Sequence, residues 1–131
     1  MIVVDASTFA DMLISTDNRG RKARAILSTD PRWVAPSHWK MEVFSVIRGL
    51  TLGSKISETI AEHALHVLDQ LTVDAVAIDS LIPRMWQLRN AVGAYDAAYV
   101  VLAETRQLTL VTADAKLART ATNYCRVELT A

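Results

Sequence analysis

Residues Val92 to Glu104 read "VGAYDAAYVVLAE". As a helix, this stretch carries apolar side chains in nearly every direction up to Ala103, and a helix that is apolar all round belongs in an interior. The β-branched run "LTLVT" (Leu108 to Thr112) follows it, and then the amphipathic "ADAKLARTA" (Ala113 to Ala121). A buried helix, a short strand and a further helix in succession predict a parallel sheet covered by helices. Asp96 does not suit its setting. It places a carboxylate at the first turn of the buried run, which costs several kcal/mol unless the group is paired, hydrogen-bonded or bound to a metal.

The same alternation extends to both ends of the chain. "IVV" (Ile2 to Val4) reads as a buried strand ending at Asp5. "ASTFADMLI" suits a helix with Phe9, Met12 and Leu13 on one side. "DNRGRKARAILSTD" suits a second helix, beginning near Asn18, with Ala23, Ile26 and Leu27 inward. "RWVAP" is a short strand closed by Pro36. Ser37 is placed to cap the next helix, "HWKMEVFSVIRGL", whose stripe is Trp39, Val43, Val46, Ile47 and Leu50. "SETIAEHALHVLDQL" is capped by Ser57 and turns Ile60, Ala64, Val67, Leu68 and Leu71 inward. "VDAVAID" is a strand, "SLIPRMWQLRN" a helix interrupted early by Pro83, and "CRVEL" a final edge strand. The prediction is an α/β fold with a central parallel sheet of about five short strands and helices on both faces.

Composition narrows the class. The chain of 131 residues is 51% hydrophobic, enough to build one core over residues 1–131 and too much for disorder. No apolar run approaches the ~20 residues of a membrane span. "MIVVDAS" lacks a basic leader, and Cys125 is the only cysteine, so no disulfide can form within the chain. A cytoplasmic location is expected. The formal net charge is zero, which argues against a broad basic surface. A local one is open: Arg19, Arg21, Lys22 and Arg24 cluster in "RGRKAR", a run whose plainer reading is a solvated helix face.

In open parallel sheets, ligands bind beyond the carboxyl ends of the strands. Asp5 follows the first strand and Asp114 follows "LTLVT" by one residue. Asp96 starts the intervening helix, and Glu42 lies at the edge of its helix's apolar stripe, with Gly49 leaving space on the same flank. Each acid alone has an ordinary explanation. Asp114 can cap a helix, Asp96 can meet a helix N-terminus, Asp5 can bond a turn and Glu42 can reach water. Together they can converge on one side of the sheet. Carboxylates gathered without basic partners repel, and hard oxygen donors suit Mg²⁺, or Mn²⁺ in its place. His38, His63 and His66 have no zinc spacing with Cys125, and no glycine-rich phosphate loop is present. Cys125 reads as a small buried apolar side chain.

Four segments, "IVVDAS", "SHWKMEVFSVIRG", "YDAAYVVLAE" and "LTLVTADAKLA", in this order and over essentially the whole chain, resemble a PIN-domain ribonuclease of the VapC toxin type. The resemblance implies a three-layer α/β/α sandwich and a Mg²⁺-dependent endoribonuclease. It carries the acidic positions onto Asp5, Glu42, Asp96 and Asp114, as metal ligands and catalytic groups, and the supporting hydroxyls onto Ser7 and Thr112. It implies RNA as substrate, a homodimer, possible larger assemblies, and a VapB-type antitoxin whose C-terminal segment fills an apolar groove and blocks the acidic site. Surplus apolar residues on the first, second and fourth helices (Phe9, Met12, Ile14, Ile26, Leu27, Ile60, Leu65, Leu68) are candidates for that groove, though ordinary core explains each singly. Candidates for RNA phosphate contact are Arg19, Arg21, Lys22, Arg89 and Lys116.

Other functions fit less well. A structure-specific DNA nuclease could use the same acids, but the chain offers no additional arch or clamp. A phospho-acceptor receiver domain could offer Asp79, but its lysine would fall inside the helix of "LVTADAK". A haloacid-dehalogenase-like phosphatase needs an aspartate where Ser7 stands. A non-catalytic binding domain leaves the acids unexplained.

Overall fold

The computed structural model describes all 131 residues. Their order is β1 (Ile2–Val4), α1 (Ala6–Ile14), α2 (Asn18–Ser28), β2 (Trp33–Pro36), α3 (Trp39–Leu52), α4 (Glu58–Gln70), β3 (Asp74–Val76), α5 (Ile82–Gln87), α6 (Ala94–Arg106), β4 (Leu110–Thr112), α7 (Ala115–Ala121) and β5 (Val127–Leu129). The five strands form one sheet in the order β3-β2-β1-β4-β5, and every pair is parallel. β1, β2 and β4 are short, apolar and almost wholly buried, as strands covered on both faces must be.

The topology locates the crevice. From β1 the chain steps through β2 to β3 on one side. It then returns past β1 to β4 and β5 on the other. Right-handed crossovers put α1 to α4 on one face and α5 to α7 on the opposite face. The packing agrees: α1 contacts α2, α3 and α4, while α6 packs on α5 and on β1, β2 and β4. β1 and β4 are neighbours whose following helices leave toward opposite faces, so the crevice opens beyond their carboxyl ends.

Helix α6 is buried along Ala97–Ala103, as its apolar run requires. It ends at Gln107, whose left-handed φ of 55° lets Leu108 N–H bond the Ala103 carbonyl and turn the chain into β4. Phe9, fully buried, joins the layers: its ring lies 4.8 Å from that of Trp39 and 5.9 Å from that of Trp33.

Several local expectations need correction. Ser37 does not cap α3. Its N–H bonds the Val76 carbonyl beside the sheet, and the cap position falls on His38, whose side chain makes no capping bond. Pro83 does not interrupt α5 but stands in its first turn, where a missing N–H costs nothing. Ile60 and Val46 are exposed, not inward, because Ala61 and Ile47 hold the buried registers of their helices. Cys125 is only partly buried. The strands other than β1 are shorter at their ends than their apolar runs suggest.

Gly49, inside α3, is exposed, and a Cβ there would meet nothing within 4 Å. Gly49→Ala should therefore raise stability by about 0.5–1 kcal/mol, through lower unfolded-state entropy and better helix propensity. A rise in the urea midpoint at unchanged slope is the expected reading; no rise would mean that α3 needs glycine there.

Candidate active site

Asp5 leaves β1 buried, only 5% exposed. Its Oδ2 accepts two hydroxyl hydrogen bonds, from Ser7 at 2.6 Å and from Thr112, at the end of β4, at 2.8 Å. The Ser7 hydroxyl also accepts from Ala113 N–H, and that of Thr112 from Asp114 N–H. The two strand ends are thereby stitched together around one carboxylate. Burial raises the Asp5 pKa, its hydroxyl partners pull it back, and the Asp114 charge adds to the rise.

Asp114 is exposed and caps α7: its Oδ1 accepts from the N–H groups of Lys116 and Leu117. Capping and membership of the acidic group are compatible, because the cap uses one oxygen. Glu42 projects from the first turn of α3. Its Oε1 accepts from the Tyr99 hydroxyl at 2.8 Å and lies 3.1 Å from His38 Nε2, off the line of a directed hydrogen bond. Burial raises the Glu42 pKa, against the pull of Tyr99 and His38.

Asp96 is half-buried in the first turn of α6, outside the buried stretch Ala97–Ala103. No protein group hydrogen-bonds its carboxylate. Its pKa is pushed up to about 6, first by burial and then by the charges of Asp5, Asp114 and Glu42. The acids thus feel one another across four separate elements. None of Asp5, Asp96 and Asp114 pairs with a lysine or arginine.

The donor set fits a hard divalent cation: carboxylate oxygens that repel one another, with free lone pairs and no competing cation. It is not a ready-made cage, for no group of three or more His, Cys, Asp or Glu side chains is already arranged to hold a metal ion. Asp5, Glu42, Asp96 and Asp114 are the residues that could close on one.

Three of the five basic candidates are engaged. Arg19 pairs with Asp11 at 3.1 Å, and Arg21 bonds Asn18. Arg89 stacks on Trp86, its guanidinium 4.4 Å from the ring centre. Lys22 and Lys116 are exposed and make no ion pair. Asp79 is exposed beyond the edge strand β3, not at a central strand end as a receiver domain requires. Tyr99 escaped the sequence reading, which weighed His38 only as a zinc ligand. A cleft of about 390 Å³, lined by His38, Met41, Glu42, Ser45 and Tyr95, runs beside them.

The PIN domain family profile matches residues 2–123. The chain is 36% identical over 118 residues to ribonuclease VapC3 of Mycobacterium tuberculosis, covering 90% of this chain and 85% of that one. The chain belongs to the PIN-domain family, among the VapC ribonucleases. Ribonuclease VapC9 of the same organism is 34% identical over 127 residues, covering 97% of this chain and 96% of its own. Ribonuclease VapC12 is 30% identical across all of both chains. The crystal structure of M. tuberculosis VapC20, a sarcin-ricin loop cleaving toxin, superimposes with a TM-score of 0.68 at 16% identity, over 91% of this chain and 94% of that one. At that identity the likeness speaks for the fold alone. The PIN sandwich is thus the scaffold that brings these acids to the β1–β4 crevice. No helix of this PIN domain is long and apolar enough to cross a membrane.

Proposed function

We propose that this chain is a Mg²⁺-dependent endoribonuclease, the toxin of a toxin–antitoxin pair, and that it hydrolyses RNA phosphodiesters with Asp5, Glu42, Asp96 and Asp114. One arrangement carries the reading: Thr112 ties the Asp5 carboxylate at the end of β1 to Asp114 beyond β4, Asp96 without a hydrogen-bond partner has its pKa raised by burial and by the charges of Asp5, Asp114 and Glu42, and no lysine or arginine pairs with Asp5, Asp96 or Asp114. Kinship with the VapC ribonucleases points the same way.

Asp5, Asp96, Asp114 and Glu42 are the groups that hold the cation. Bound there, Mg²⁺ supplies a water of lowered pKa and offsets charge gathering on the phosphate. Ser7 and Thr112 fix Oδ2 of Asp5 in place. Asp114, holding the first turn of α7 with Oδ1, keeps Oδ2 available. Asp96, with no internal partner, is the freest of the acids to take a new one. Approaching RNA is itself an anion, so rim cations assist; Lys22 and Lys116 are free to do so, and Arg19, Arg21 and Arg89 can after exchanging partners.

A VapB-type antitoxin and a second copy of the chain are the proposed protein partners. Phe44, Leu52, Ala61 and Leu65 line a cleft of about 240 Å³ between α3 and α4 that an antitoxin segment can fill. Exposed Ile82 and Trp86 on α5 offer an apolar patch for a second copy.

The test is cleavage of total RNA and of single-stranded and flap DNA, each with Mg²⁺ and with EDTA. Cleavage confined to RNA and lost in EDTA is the expected result. Indifference to chelator removes the metal from the mechanism, and cleavage of flap DNA in preference transfers the site to a different substrate.

A further inference from the structure

One oxygen of Glu42 has neighbours on two sides, a hydrogen bond from Tyr99 and a close but misaligned approach of His38. The Tyr99 hydroxyl, on a fully buried side chain, donates to Oε1 at 2.8 Å, and His38 Nε2 lies 3.1 Å from the same atom. The His38 ring stands edge-on between Tyr99, 5.5 Å away, and Tyr95, 5.4 Å away. A glutamate on a helix surface is otherwise free to swing about several bonds. Here both contacts use Oε1 and leave Oε2 as the oxygen with work to do. Tyr99 also lies three residues after Asp96, so one flank of α6 carries both an unpartnered acid and the donor that fixes a second one.

We infer that Tyr99, assisted by His38, is a positioning residue that fixes Glu42 for cation binding at the acidic centre. The inference rests on the metal-dependent reading above. The plain alternative is a buried tyrosine that needs any acceptor for its hydroxyl. Tyr99→Phe separates the two, because it keeps the ring and removes only the hydroxyl.

Mn²⁺ affinity, read by calorimetry on wild type, Tyr99→Phe, Glu42→Gln and the double variant, is the measurement, with urea unfolding alongside to record any purely structural cost. Tyr99→Phe should weaken Mn²⁺ binding by about 10–100-fold, as loss of a ligand's orienting partner does. The double variant should lose no more than Glu42→Gln alone, since Tyr99 acts through Glu42. Unchanged affinity in Tyr99→Phe, or losses that multiply in the double variant, overturn the inference while the nuclease reading stands. A wild type that takes up no Mn²⁺ sinks both. His38→Ala, run through the same cycle, tests the same oxygen from its other side if Tyr99→Phe does not fold.

Discussion

Asp96→Asn should all but abolish RNA cleavage, by about a thousand-fold or about 4 kcal/mol of barrier, and at the same time make the folded protein more stable. Both effects come from one charge. Asp96 is the acid without a hydrogen-bond partner, and its pKa is raised from 3.8 to about 6 by burial and by the charges of Asp5, Asp114 and Glu42. Because the folded state binds this proton more tightly than the unfolded state, ionising Asp96 destabilises the fold. The loss sets in as pH rises above 3.8, is complete above about 6, and is absent at lower pH, where both states are protonated. A shift of about two units corresponds to about 3 kcal/mol, and solvent screening of a half-exposed group reduces that to about 1 kcal/mol. Asparagine removes the repulsion and, on the proposed reading, a cation ligand with it. Urea unfolding at pH 8 should show the variant ahead of wild type, and at pH 3.5 the two should coincide. An equal gap at both pH values, or retained cleavage, contradicts the account. Cation binding by wild type should strengthen as pH rises through about 6, as Asp96 gives up its proton.

Thr112→Val should cost about 3 kcal/mol of stability, because a buried charge-assisted hydrogen bond is lost and an N–H is left without its acceptor. Thr112 is fully buried at the end of β4. Its hydroxyl donates to Asp5 Oδ2 at 2.8 Å and accepts from Asp114 N–H at 3.1 Å. Valine fills the same space and does neither. Without that donor the Asp5 pKa rises further, so the ionised form is less well tolerated and the cost should be greater at pH 8 than at pH 3.5. Cleavage should fall by about 10–100-fold as Asp5 loses its orientation. Thr112→Ser should recover most of both losses. A valine variant as stable as wild type would mean that Ser7 alone secures Asp5.

The α/β architecture was legible because its evidence is periodic. Strands such as Ile2–Val4 are β-branched throughout, and α6 has no polar flank along Ala97–Ala103. The acids were legible for the opposite reason, since Asp96 and Asp5 interrupt apolar runs. Boundaries were harder to read. Ser37 has the right chemistry for a helix cap, but a sheet neighbour claims its N–H, which no local pattern reveals. The partners of the acids were least visible. Tyr99 reads as core, and its acceptor Glu42 is 57 residues away in sequence. Spacing offered a faint signal: Tyr99 follows Asp96 by one helical turn, and His38 precedes Glu42 by one. Which way Arg19 and its basic neighbours turn depends on local competition, such as Asp11 for Arg19, that composition does not encode.

The placement of β1 at the centre of the sheet governs when the acidic site can assemble during synthesis. Asp5 emerges from the ribosome early, but the hydroxyl of Thr112 that secures it lies 107 residues downstream, and β4 cannot pair with β1 before it has been made. Such distant pairings form late. A nascent chain therefore carries a scattered set of acids until translation is nearly finished, and a truncated product ending before β4 should lack the Thr112 contact that secures Asp5.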